Sequence, residues 1–234
     1  IYTLMILHGT EFKNPEYRKK FGYEGRYRIV PLNFGEYDNE KIFDYEEVAV
    51  KTKSTSFNEY LELRSLALII ETLWNGRAFE EFFNYLNNYN IKKFKLIKII
   101  FDNIHKAPKK ILDLYNDFIE ETKNELWESE DELLNHYSKE ENYKKLKEGK
   151  VGGNLIYKYK IRGLAFNHKE WLKFIEKEVF NVLIAEKNIN IDSDELKKQL
   201  SDISKFCENK LNGIFDLKNK QNKITNEFNY DILS

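Results

Sequence analysis

The sequence predicts an α+β chain that is predominantly helical, with a small N-terminal β layer packed on a multi-helix domain. Three observations predict it. Alternating, extended stretches dominate the first fifty residues, and from Phe57 to about Lys210 apolar residues recur mostly at helical spacing. Ser-x-x-Glu boxes at Ser56–Glu59 and Ser129–Glu132 then mark helix starts, because serine hydroxyl and glutamate carboxylate can satisfy each other's free backbone donors.

Taken in order, the apolar run Ile1 to Leu7 followed by His8-Gly9-Thr10-Glu11 predicts a buried strand ending in a turn. Asn14-Pro15 opens a short helix through Phe21, and Gly22 ends it. Arg26 to Val30 alternates before Pro31, and Phe43 to Val50 is a second extended segment, with turn formers from Gly35 to Glu40 between them. After Ser56 comes the most apolar helix, from Phe57 to the stop at Asn75-Gly76, expected to be covered on most sides and interrupted by one charge, Arg64. Stripes follow at Phe79, Phe82, Phe83, Leu86; at Phe94, Ile97, Phe101, Ile104; and at Ile111, Tyr115, Phe118, Ile119. Gly149 to Asn154 punctuates the second half, and Leu155 to Phe166 fits strand or helix, with helix favoured. Trp171, Ile175, Val179 and Val182 mark a later helix, and Leu196, Leu200, Ile203, Cys207 and Leu211 the last. The expected division is a barrel-end strand and β layer over 1–54, a helical domain over 55–217, and a linker with an extended tail over 218–234.

Composition narrows the function classes. A chain of 234 residues can bury a real core, and with 33% charged residues but a net charge of −1 it carries no field that would draw it to nucleic acid or an anionic membrane. No run reaches the roughly 18 apolar residues of a membrane span, and the expectation is a cytoplasmic protein. One cysteine, Cys207, excludes an internal disulfide and any multi-cysteine metal site made by this chain alone. His8, His105, His136 and His168 are scattered without metal-ligand spacing, so no metal site is expected. No Gly-rich phosphate loop is present.

The stretches TLMILHGTEF, RYRIVPLNFGEYDNEKIFDYEEVAV, SFNEYLELRSLALIIETLWNG, GGNLIYKYK and EFNYDILS resemble the region that follows the iron–sulfur motif in cobalamin-binding-type radical S-adenosylmethionine (SAM) enzymes. His8-Gly9-Thr10 stands where that superfamily usually carries Pro-Gly-Thr after its last barrel strand. The Cys-x-x-x-Cys-x-x-Cys loop and the cobalamin-binding histidine motif are not in this chain. The resemblance implies a piece of a longer protein: an accessory, substrate-side C-terminal region, not catalytic alone. Its parent would carry the 4Fe–4S cluster, SAM and cobalamin, with the barrel upstream in cis, and perform methylation or radical cyclisation on a small molecule. The alternative is a stand-alone helical protein-interaction module.

The site candidates follow from both readings. His8, Gly9, Thr10 and Glu11 form either a SAM- or substrate-facing turn or a structural turn set by Gly9. Arg64 is either a buried anion clamp or the partner of Glu46 or Glu47. Arg26 and Arg28 alternate on one strand face, where solvation is the commoner fate, and Cys207 on an apolar stripe reads as a small buried hydrophobe.

Overall fold

The structure, a computed structural model, describes residues 3–186, 191–215 and 225–232. It holds a two-stranded antiparallel sheet and ten α-helices among those residues, an α+β chain that is mainly α. The chain divides into two compact units, residues 1–67 with 117–158 and residues 68–116 with 159–234. They interleave along the sequence, whereas a sequential division near residues 54 and 217 was expected. Helices that read as continuous stripes cross from one unit to the other, so periodicity carries no boundary signal there.

Unit 1 is built on a hairpin. Strand β1 (Glu24–Tyr37) pairs with β2 (Glu40–Lys51) across a two-residue turn in which Asp38 and Asn39 both have positive φ, 50° and 65°, the geometry that matches strand twist. Pro31 does not end the first strand as the sequence predicts. Instead the register slips between Ile29 and Phe34, so the proline sits in a bulge where no ladder donor is needed, and Leu32 there takes φ 65° and points out, 85% exposed.

Phe43 and Val48 lie at opposite parity on β2, so the hairpin buries both faces. Ile29 and Phe43 pack with Leu133 and Tyr137 of α6 (Glu130–Ser138) and Tyr143 and Leu146 of α7 (Glu140–Lys147). Val48 and Val50 pack with Tyr60 and Leu61 of α2 (Phe57–Ile70). Helix α2 starts where the capping box places it: the Ser56 amide donates to Glu59 at 2.7 Å and the Glu59 amide to Ser56 Oγ at 3.3 Å. After Ile70 it continues as a π-helical turn to Asn75, where the sequence places the stop.

Helix α1 (Pro15–Phe21) is capped by Asn14 and stopped by Gly22 at φ 66°, as the residues predict. The N-terminal run differs from its expectation as a buried strand. Ile1 and Tyr2 lie outside the described residues; Leu4 to Ile6 make one bridge, Met5 to Val48, with Ile6 N–H donating to Glu47 and Ala49 N–H to Leu4. Only Ile6 is buried, since Leu4, Met5 and Leu7 are exposed. This segment folds back on β2 and shields part of its edge.

Unit 2 is helical. Phe79, Phe82, Phe83 and Leu86 are fully buried at the start of and along α3 (Glu80–Asn87), and α9 (His168–Ala185) packs against α3, α4 (Lys93–Asp102) and α10 (Ser193–Phe215). The α10 stripe is buried along its length, as its spacing predicts. The stripe of α4 is shifted: Leu96, Ile97, Ile100 and Ile104 are buried while Phe94 is 56% exposed, so the aliphatic residues, not the aromatic ones, set the inner face. Leu155–Phe166 is helix, α8 in sequence order after α5 (Lys109–Asn124), α6 and α7. Ile224, Leu233 and the linker at 218–223 lie outside the described residues, and 225–232 holds no helix or strand.

Candidate functional site

The charged side chains of unit 1 converge where the α2 side of the hairpin meets the residues after α5. Arg28 stands directly opposite Glu46 in the ladder and donates to it through Nε at 2.6 Å, while its Nη1 reaches Glu125 at 3.1 Å. Both carboxylates are therefore held by Arg28. Arg64, one turn beyond Tyr60 on α2, approaches the same Glu125 oxygen only at 3.8 Å and lies over the Phe118 ring. Neither Glu46 nor Glu47 is its salt-bridge partner, which corrects the sequence expectation: cross-strand register gives Glu46 to Arg28, and strand alternation turns Glu47 to the other face.

Glu47 is buried there between Lys13 at 2.6 Å and Arg18 at 2.7 Å. Gly25 is required by this pair of contacts, since a Cβ on it would meet Glu47 Oε1 at 2.1 Å. Glu47 thus ties the N-terminal helical turns to the hairpin, a structural role. Arg26 makes an outer pair with Glu128 at 2.5 Å. Arg28, expected to be solvated, is mostly buried because α2 covers its face of the strand.

The protonation balance follows from this geometry. Burial works against the Arg28 charge, but Glu125 and Glu46 more than offset it and its pKa is raised. For Arg64 burial wins over the weaker attraction of Tyr60 and Glu125, and its pKa is lowered. Burial pushes the Glu125 carboxyl up, with Arg28 and Arg64 only partly opposing. The Tyr60 phenol is likewise raised by burial.

Beside this cluster opens an apolar cleft of about 180 Å³. Thr3 and Leu4 come from the N-terminal segment, Ala49 and Val50 from β2, and Leu63 and Arg64 from α2. Tyr60 lines it as well. Among the candidates, Arg64 reaches the cleft, with Arg28 and Glu46 in the charged network behind it. The His8-Gly9-Thr10-Glu11 turn is elsewhere: Gly9 has φ 79°, Thr10 Oγ1 donates to the Leu7 carbonyl at 2.7 Å, and His8, Gly9 and Glu11 are exposed. Glu125 and Tyr60 are the residues that sequence reasoning missed. Tyr60 lies four residues before Arg64 on one helix face and was within reach; Glu125 lies 97 residues from Arg28 and carries no local signal.

The residues present do not fit an iron–sulfur cluster, which needs several converging thiolates. Cys207 donates to Glu81 at 3.2 Å inside α10's buried face, and burial together with the Glu81 charge pushes its thiol pKa up, away from thiolate. Among the described residues no three His, Cys, Asp or Glu side chains are grouped to hold a metal ion, and no helix is long and apolar enough to cross a membrane. No protein-family model matches the chain, and no curated protein is significantly similar to it.

Proposed function

We propose that this chain is the C-terminal, substrate-side region of a cobalamin-type radical SAM enzyme, and that it contributes binding surface rather than reacting groups. One observation supports the reading. Three of the five stretches that carry the resemblance, TLMILHGTEF, the β1–β2 hairpin and SFNEYLELRSLAL, supply the walls of one cleft: Thr3 and Leu4, Ala49 and Val50, Leu63 and Arg64. A cleft walled by three of those stretches is the kind of surface a substrate-side region beside a partner barrel needs. The cluster and SAM belong to the barrel that precedes this region in the same cytoplasmic polypeptide, and the ligand is a small molecule, not nucleic acid or lipid.

The donor set gives the test. Anaerobic incubation of the 234-residue chain with iron and sulfide is expected to leave no stoichiometric iron–sulfur absorbance, because the chain carries one thiol and that thiol is buried. A stoichiometric cluster on this chain alone would overturn the division of labour.

A further inference from the structure

Tyr60 and Arg64 stand at i and i+4 on α2, on one face, and both line the unit 1 cleft. Arg64 Nε and the Tyr60 hydroxyl are each buried without a hydrogen-bond partner; Thr3 approaches the hydroxyl but falls outside hydrogen-bonding geometry. Native proteins rarely leave such donors unmade, and two of them on one helix face, from residues that line one cleft, ask for a shared acceptor. The charges point the same way. Arg28 holds both Glu46 and Glu125, which leaves Arg64, its Nε buried and its side chain 12% exposed, with one 3.8 Å approach to a carboxylate, the Phe118 ring beneath it and no hydrogen bond among the described residues. One under-compensated cation suits one negative charge, and the two carboxylates behind it disfavour a dianion such as phosphate. Of the other lining residues Leu4, Ala49, Val50, Leu63 and Ala67 are apolar, Thr3, Thr52 and Thr55 carry hydroxyls, and Lys51 is paired with Glu24, so the cleft's uncompensated charge stays with Arg64; 180 Å³ is enough for a body of benzene size.

We propose that the unit 1 cleft binds a small monocarboxylate with an apolar body, its carboxylate accepting from Arg64 Nε–H and from the Tyr60 hydroxyl. A planar guanidinium and a phenol offer a carboxylate two directed donors, one charge-assisted and one neutral, while Leu4, Ala49, Val50 and Leu63 face the apolar body. The site uses the same cleft as the parent-enzyme reading but stands without it: a protein that binds the acid and never cleaves SAM would keep the site and lose the parent.

The probe is phenylacetate, titrated into the 234-residue chain and followed by NMR at the Arg64 Nε–H and the Leu63 methyls, with phenylacetamide and phosphate as comparisons. Saturable shifts with phenylacetate are expected, with both comparisons weaker by about tenfold, the scale of one hydrogen bond to a charged group. Tyr60→Phe removes a hydroxyl that has no partner, so the fold is kept and phenylacetate binding falls by about tenfold. Arg64→Gln should abolish the preference for acid over amide. Absence of saturable binding, equal binding of acid and amide, or a wild-type affinity in Tyr60→Phe would each overturn the assignment.

Discussion

Arg28 and Arg64 compete for Glu125, and distance decides the contest, 3.1 Å against 3.8 Å. Removing one arginine should therefore be costly and removing the other cheap. Arg28→Met leaves Glu46 and Glu125 buried without their main partner and should cost on the order of 3–5 kcal/mol. Arg64→Met removes a desolvated charge while Arg28 keeps both carboxylates, so its cost should stay within about 1 kcal/mol of zero. Urea midpoints of the two variants check the pair, and equal losses would mean that Arg64, too, carries a carboxylate. Glu125 adds a pH signature. Its folded pKa is raised, so the native state keeps the proton to higher pH than the unfolded chain does, and stability falls as pH rises from the ordinary carboxylate range through the folded value. Glu59 and Glu80, whose pKa values are lowered by Ser56 and Arg77, slope the other way and lose their contribution as pH falls. The difference between wild type and Glu125→Gln between about pH 4 and 7 isolates the first effect: the variant should gain relative stability as pH rises, and a flat difference would place Glu125 outside the buried network.

At the scale of elements, local signals were legible and distant ones were not. The Ser56–Glu59 box, the Asn14 cap, the Gly22 stop and the α10 stripe each depend on residues within a few turns, and each stands where the sequence predicts. Ser56→Ala should cost about 1 kcal/mol through the lost cap, read from the thermal or urea midpoint; an unchanged midpoint would show that packing on Val48 and Val50 alone fixes the helix start. The α4 stripe was drawn through Phe94 and Phe101 because aromatics weigh most in a sequence, whereas the buried face belongs to the residues that tertiary neighbours cover. Pro31 misled for a similar reason: the sequence shows a missing donor but not the bulge that removes the need for one. Arg28 with Glu125 lay beyond any periodicity argument, since the strand and the end of α5 meet only through the fold.

At the scale of the whole molecule, chain order and spatial order part company. Residues 117–158 return to the hairpin unit after residues 68–116 have built part of the other, and no composition shift marks either crossing. The candidate site was legible in part, Arg64 through its charge on an apolar helix, but its cleft needed three segments brought together. Under the proposed function, this chain shapes a ligand site for radical chemistry carried by a preceding barrel. An anaerobic assay with SAM and a strong reductant checks this proposal on the 234-residue chain and on that chain joined to the upstream barrel that the proposal calls for. 5′-Deoxyadenosine is expected from the longer protein and none from the chain alone. A longer polypeptide that carries no cluster motif, or that leaves SAM intact, would contradict it and favour a helical interaction module.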